Sequence, residues 1–332
     1  MAKVAINGLG RIGRATLKVV LGNPDLELVA VNDIASPENI AYLIKYDTVY
    51  GRFGEKVTAK SGKLNIDGES FEFLSERDPA KLPWKKLDVD IVFESTGFFT
   101  DKDSAGKHVE AGAKFVIISA PTKSEDVPTI VHGVSDVEEH AQIISCASCT
   151  TNSITPVVEV IGRHFGIQKA LLTTIHGYTA SQSIVDGPHK NFRRGRAGAA
   201  NLVPTTTGAA IATTKALPQY EGKFDGVSVR APVPVGSISD LVFLTEKNTN
   251  EEEVNKILSK EAASERYLNV MRVTDEPIVS SDIVGDTHAA IIDLEMTKVV
   301  DGNLLKIFSW YDNEWGYTNQ MVRRATEISK SL

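Results

Sequence analysis

Along the first half of the chain, short apolar runs alternate with stretches whose apolar positions recur at helical spacing. Val4-Ala5-Ile6, Leu26 to Val31, Ile91-Val92-Phe93 and Phe115-Val116-Ile117-Ile118 read as strands. Ile12, Thr16, Val19 and Val20 share one helical face, and Ser104 to Ala111 reads as another helix. Ser36, Pro37 and Glu38 supply an N-cap, a first-turn proline and a first-turn acid for a helix through Ile44. Strand and helix in alternation imply a parallel sheet covered by helices.

The second half has a different rhythm. Leu171 to Ile175, Val227 to Val233, Leu241 to Leu244, Ala289 to Met296 and Leu304 to Trp310 read as strands, several with no crossover helix between them. That predicts a mixed, largely antiparallel sheet. Thr249 and Glu252 form a candidate capping box for a helix carrying Val254, Ile257 and Leu258. The segment from Thr318 to Lys330 is amphipathic, with Met321, Val322, Ala325 and Ile328 on one side. Between Tyr178 and Ala200 no period is visible and basic residues are frequent, and a loop of that length in a compact domain is usually functional.

Composition narrows the picture. The chain has 332 residues, enough for two domains. Its net charge of −7 argues against a dedicated nucleic-acid binder. No apolar run is long enough to span a membrane. Two cysteines three positions apart cannot build a disulfide framework, and without paired histidines nearby they fall short of a metal site. The expectation is a cytoplasmic protein with no bound metal.

Two segments carry chemistry. Gly8-Leu9-Gly10-Arg11-Ile12-Gly13 follows a strand and opens a helix. Its glycines permit a tight turn and bring backbone N–H groups close to a pyrophosphate. Asp33 closes the second strand, where a carboxylate binds the ribose hydroxyls of NAD and repels the extra phosphate of NADP. The other segment is Ser145-Cys146-Ala147-Ser148-Cys149-Thr150-Thr151-Asn152, just ahead of the apolar-periodic stretch Ile154 to Phe165. A thiol at a helix N-terminus feels the positive end of the dipole, which favours thiolate, so Cys149 is the candidate nucleophile. Cys146 and Cys149 also make a C-x-x-C pair, a weaker redox candidate.

Taken together, these motifs resemble phosphorylating glyceraldehyde-3-phosphate dehydrogenases. The likeness runs from Val4 to the C-terminus through Ile6 to Arg14, Glu94 to Gly97, Ser145 to Asn152, Pro204 to Ala209, Gly236-Ser237 and Ser309 to Tyr317. It implies an α/β chain: a Rossmann-type, doubly wound parallel-sheet NAD domain from 1–148 plus 314–332, and a mixed, largely antiparallel α+β catalytic and tetramerisation domain from 149–313. It implies Cys149 as nucleophile and His176 as its base. Cofactor contacts carry over to Asn7, Gly8, Gly10, Arg11, Ile12, Asn32, Asp33, Arg77, Ser95, Thr96, Gly97, Ser119, Asn313 and Tyr317. Ser148, Thr150, Arg194, Thr207 and Gly208 are expected on the attacking inorganic phosphate. Thr179 and Arg230 are expected on the phosphate of glyceraldehyde 3-phosphate. Within the basic loop, Ser181, Ser183 and Gly187 depart from the Asp, Arg and Leu that many bacterial members carry at those positions. Other readings are an erythrose-4-phosphate dehydrogenase, with water as acyl acceptor, and an NAD-binding interaction protein without catalysis.

Overall fold

The computed structural model describes residues 1–135 and 141–332. These form two compact units: residues 1–130, 141–147 and 321–332 in one, and 131–135 with 148–320 in the other. The sequence-based boundaries were 148/149 and 313/314, so Ser148 and residues 314–320 fall in the second unit.

The first unit is built from β1 (Ala2–Asn7), α1 (Arg11–Leu21), β2 (Leu26–Asn32), α2 (Pro37–Lys45), the short strands β3 (Tyr46–Asp47) and β4 (Gly51–Arg52), β5 (Val57–Lys60), β6 (Lys63–Ile66) and β7 (Glu69–Leu74). It continues with α3 (Trp84–Leu87), β8 (Ile91–Glu94), α4 (Lys102–Glu110), β9 (Phe115–Ile118) and β10 (Ile143–Ser145). Its main sheet runs in the order β10-β9-β8-β1-β2-β7-β6-β5. Pairing is parallel from β10 through β7, as the alternation predicted for β1, β2, β8 and β9; β7 and β10 were not read as strands. The β5–β6–β7 edge is antiparallel and was not legible, because these strands are short and interrupted by lysines and glycines. Ser36 caps α2 as expected, its side chain accepting from the Asn39 N–H. Helix α4 starts earlier than its apolar pattern: Asp101 is the N-cap, closing a capping box with Ser104.

The second unit contains α5 (Cys149–Phe165), β11 (Ile167–Gly177), β12 (Val203–Thr206), α6 (Ala209–Ala216), β13 (Phe224–Ala231), β14 (Ser237–Thr245), α7 (Glu251–Ala262), β15 (Met271–Thr274), β16 (Ala290–Val300) and β17 (Leu304–Tyr311). The sheet order is β12-β13-β11-β14-β17-β16-β15. Four pairings are antiparallel and two, β11–β13 and β15–β16, are parallel. Strand β13 ends at Ala231 rather than Val233, since Pro232 has no N–H to continue the ladder. The N-cap of α7 is Asn250, not Thr249. Asn250 accepts from the Glu253 N–H, while the Thr249 hydroxyl donates to the Glu253 carboxylate. Helix α5 packs Ile154, Val157, Val158 and Ile161 into the core beneath the sheet.

The last helix, α8 (Trp315–Ser329), carries the chain from the second unit into the first, where Asn23 Nδ2 donates to Thr326 Oγ1 at 2.9 Å. Among the described residues, no helix is long and apolar enough to cross a membrane.

Candidate active site

In the first unit, the carboxyl ends of the parallel strands frame a cavity of about 610 Å³. Asn7, Gly8, Gly10, Asn32, Asp33, Arg77, Ser95 and Thr96 line it. Its shape depends on glycine at two places. A Cβ on Gly8, whose φ is +90°, would meet the Thr96 backbone at 2.8 Å. A Cβ on Gly13 would lie 1.9 Å from the Gly8 carbonyl, so α1 could not close onto the turn. Asp33 fixes the loop from the other side, Oδ2 accepting from the Leu9 N–H at 2.7 Å and Oδ1 from the Ala35 N–H at 2.8 Å.

The remaining first-unit candidates surround this cavity less directly. Arg11 and Ile12 open α1, and the Arg11 guanidinium pairs with Asp47 at 2.6 Å. Gly97 takes a positive φ of 75°, and the Ser119 N–H donates to the Glu94 carbonyl. The Ser95 hydroxyl is buried without a hydrogen-bond partner among the described residues. An orphaned donor at the end of β8, beside a glycine turn and a helix N-terminus, fits a pyrophosphate-bearing cofactor.

The second unit assembles its site from strand ends far apart in sequence. Cys149 is the first residue of α5, and Ser148 is the N-cap, its hydroxyl accepting from the Thr151 N–H at 3.1 Å. His176 stands near the end of β11, with Nε2 3.3 Å from Cys149 Sγ. Arg230 lies directly opposite His176 in the β11–β13 register, so the parallel pairing brings both beside the thiol. Nδ1 of His176 is 2.7 Å from the Gly177 carbonyl and 2.6 Å from Arg230 Nη1. A proton on Nδ1 serves the carbonyl and leaves Nε2 as acceptor. A proton on Nε2 leaves Nδ1 to accept from Arg230. Both neutral tautomers thus have a partner, which suits a ring that takes and returns a proton at Nε2.

The electrostatics correct one expectation. Desolvation pushes the Cys149 thiol up from its ordinary value, against the predicted lowering; Arg230, the Thr150 hydroxyl and the N–H groups of Thr150 and Cys149 oppose it. Desolvation, then the Arg230 charge, pull His176 down to about 3. A lone thiolate and a lone imidazolium are therefore both disfavoured. The ionisation that avoids both penalties is a proton transfer inside the Sγ–Nε2 pair, which would leave the pair's net charge unchanged. Cys146 is buried and pushed up to about 12 by desolvation, while Cys149 is partly exposed. Cys146 is a poor redox partner in that state.

The anion candidates all lie in the second unit. Arg194 Nε donates to Thr205 Oγ1 at 3.0 Å, on the strand that pairs with β13. Its charge and that of Arg230 repel, lowering the Arg230 pKa after desolvation. Arg230 Nε is buried without a partner among the described residues, a donor awaiting an anion. Arg196 is instead spent within the loop, its Nε donating to Asp186 at 2.7 Å. Gly187 and Gly195 close that same loop, the Gly187 N–H bonding the Gly195 carbonyl. Thr207 accepts from the Ala209 N–H, and Gly208 is the N-cap of α6. Thr179 bonds Ser181 through their hydroxyls at 2.8 Å. Asn313 is buried, its Oδ1 accepting from Ser237 Oγ at 2.9 Å, and Tyr317 is buried in the first turn of α8.

Tyr311 also reaches Cys149's helix and His176, although the sequence reading gave it no role there. Its ring meets His176 edge-on at 6.0 Å, and its hydroxyl bonds Thr150 at 2.9 Å and Thr174 at 2.7 Å. It ties the helix bearing Cys149 to the strand bearing His176.

The family models decide the lineage. One described as glyceraldehyde 3-phosphate dehydrogenase, NAD binding domain, matches residues 2–102, and the corresponding C-terminal domain model matches 148–313. The chain belongs to the glyceraldehyde 3-phosphate dehydrogenase family. Glyceraldehyde-3-phosphate dehydrogenase 2 of Streptomyces avermitilis is 50% identical over 335 residues, covering 99% of each chain. The enzyme of that name from Thermotoga maritima is 50% identical over 327 residues, 97% of each. Glyceraldehyde-3-phosphate dehydrogenase 1 of Bacillus subtilis is 46% identical over 331 residues, 99% of this chain and 98% of its own. NAD is the cofactor that the first family model names, and the cavity at the strand ends lies largely within its match.

Proposed function

We infer that this chain is an NAD-dependent, phosphorylating glyceraldehyde-3-phosphate dehydrogenase. The observation that carries the reading is Cys149 Sγ at 3.3 Å from His176 Nε2, beside an Arg230 whose Nε has no partner among the described residues. Cys149 attacks the aldehyde carbon of glyceraldehyde 3-phosphate, and its proton passes through His176 to the carbonyl oxygen, leaving a thiohemiacetal. The Cys149 N–H at the start of α5 stabilises the developing oxyanion. His176 Nε2 then takes the hydroxyl proton as the carbon is oxidised to a thioester. NAD, when bound, supplies the hydride acceptor for that step. Inorganic phosphate attacks the thioester carbon, the C–S bond breaks, and the Cys149 thiolate regains its proton from His176 as 1,3-bisphosphoglycerate leaves.

Ser148, Thr150, Arg194, Thr207 and Gly208 hold the attacking phosphate, and Thr179 and Arg230 hold the phosphate of the substrate. Asn7, Gly8, Gly10, Arg11, Ile12, Asn32, Asp33, Arg77, Ser95, Thr96, Gly97, Ser119, Asn313 and Tyr317 hold NAD. The first unit is the NAD-binding domain and the second the catalytic and tetramerisation domain. The enzyme works in the cytoplasm, in glycolysis or gluconeogenesis, where its two cysteines stay reduced. It assembles as a homotetramer, since the 178–200 loop exposes Ile184 at 88% and Phe192 at 89%, surface that a neighbouring copy would cover. Light scattering giving a stable monomer would contradict the tetramer.

The test is formation of reduced nicotinamide from glyceraldehyde 3-phosphate and NAD, with and without inorganic phosphate. Sustained turnover should require phosphate, and its omission should leave only a burst as the thioester accumulates. A steady rate that phosphate does not change would point to water as acceptor, the erythrose-4-phosphate dehydrogenase pattern.

A further inference from the structure

Beneath the cofactor cavity lies a buried polar chain whose Trp84, Glu94 and His108 have no part in the proposed chemistry. His108 of α4 is 0% exposed and Glu94, at the end of β8, is 1% exposed. Trp84 Nε1 donates to His108 Nδ1 at 2.9 Å. An indole N–H can only donate, so the neutral ring carries its proton on Nε2, which faces Glu94 Oε2 at 3.0 Å. Asn7 Nδ2 donates to the same carboxylate oxygen at 2.5 Å. The other oxygen, Oε1, accepts from the Thr96 N–H at 2.8 Å and from the Thr96 hydroxyl. The chain runs on: Asn32 Nδ2 donates to Asn7 Oδ1 at 2.7 Å, and Asn32 Oδ1 accepts from the Glu76 N–H at 2.8 Å.

Every donor at the upper end of this chain lines the cavity: Asn7, Asn32, Glu76 and Thr96. Tolerances there are small, because the Thr96 backbone sits where any Cβ on Gly8 would have to go. A buried carboxylate costs stability unless fully paired, and apolar packing would hold the ends of β1, β2 and β8 together at less expense. What a carboxylate adds is direction, two oxygens aiming four donors from β1, α4 and the turn after β8.

We propose that Glu94 and His108 are positioning residues for the dinucleotide. His108, locked in its Nε2–H tautomer by Trp84, orients the Glu94 carboxylate, and Glu94 holds Asn7 and Thr96 at the strand ends that receive the cofactor. The proposal rests on the reading of this cavity as the NAD site.

The experiment is calorimetric titration of NAD into the full-length enzyme and its Glu94→Gln, His108→Asn and His108→Gln variants, with thermal melting and both Michaelis constants for each. Glu94→Gln turns a donor toward groups that need an acceptor, and should weaken NAD binding about tenfold or more. His108→Asn loses the reach to Glu94 and should weaken it about fivefold, whereas His108→Gln keeps an N–H there and should restore most of the affinity. The Michaelis constant for the aldehyde should stay within about twofold. A purely structural role would lower the melting temperature of both His108 variants and leave NAD affinity untouched. A folded Glu94→Gln enzyme binding NAD within about twofold of the wild type overturns the proposal. Should Glu94→Gln fail to fold, Trp84→Phe removes the N–H that sets the tautomer together with part of a fully buried ring, a packing loss that its melting temperature reports separately. It should weaken NAD about threefold, and unchanged affinity overturns the proposal equally. A wild-type enzyme that takes up no NAD would instead sink the reading of the cavity itself.

Discussion

The two units solve the problem of building a site in opposite ways. In the first, the decisive residues are neighbours in sequence: Gly8, Gly10 and Gly13 occupy one turn, and Asp33 follows at the end of the next strand. In the second, Cys149, His176, Arg194 and Arg230 are scattered over 82 positions and meet only because β11, β12 and β13 pair in one register. A backbone-built site tolerates little change of shape, as the 1.9 Å clash at Gly13 shows. A site built from side chains depends on the charge each brings.

That contrast breaks most sharply at Cys149. Cys149→Ala should lower turnover by about a thousandfold or more while NAD binding, whose proposed contacts lie mainly in the first unit, should persist. Loss of NAD binding together with turnover would mean that the two sites are not separable.

Within the second unit, the arginines should divide their labour. Arg194→Ala should chiefly raise the Michaelis constant for inorganic phosphate, and Arg230→Ala that for glyceraldehyde 3-phosphate. Each loses a charge-assisted hydrogen bond, about 1.5–3 kcal/mol or roughly ten- to a hundredfold. Because Arg230 also touches His176, its replacement should lower the maximal rate as well. Equal effects on both substrates would dissolve the assignment.

Within the first unit, Asp33→Gly should improve NADP and weaken NAD, moving the ratio of their efficiencies by about tenfold or more. Since Asp33 also bonds the Leu9 N–H, part of the NAD loss should come from loosening the glycine turn. A ratio that stays put would take Asp33 off the ribose.

How much of this was legible follows the same division. The glycine turn, Asp33 and the parallel strands β1, β2, β8 and β9 could be read because local spacing is itself the constraint. The hairpin edge at β5 and β6 was missed because its apolar residues are few and its faces mostly solvated. In the second unit, no local pattern marks His176 or Arg230 as partners of Cys149. Resemblance named them, and the register shows why they meet. Tyr311 was given no role, since its hydroxyl bonds to Thr150 and Thr174 come from elements remote in sequence. The thiol's upward shift was not legible either, because desolvation depends on what packs around α5.

A smaller effect appears in acid. In the second unit, Glu261 is held down at about 2, chiefly by its hydrogen bond to Arg163, with burial opposing and His164 adding. Asp286 also sits at about 2: burial works to raise it, but His288 and Arg272 outweigh that. Carboxylates depressed on folding contribute stability above their ordinary values and lose it as pH falls through the folded ones. Glu261→Gln should therefore melt a few degrees, roughly 2–4 °C, below wild type at neutral pH, with the gap closing as pH falls from 4.5 to about 2. A gap independent of pH would place the effect in packing rather than charge.

The central claim is that Cys149 and His176 act as one proton-exchanging pair, and alkylation tests it most directly. Iodoacetamide labelling, resolved by residue in the mass spectrometer across pH, should modify partly exposed Cys149 far faster than buried Cys146, and activity should fall in step. In His176→Asn the thiol keeps its desolvation but loses its proton acceptor. Its labelling should then rise only above the ordinary thiol value of about 8.5, while the wild type reacts at neutral pH. Prior labelling of Cys146, activity that survives modification of Cys149, or superimposable pH profiles for the two proteins would contradict the account.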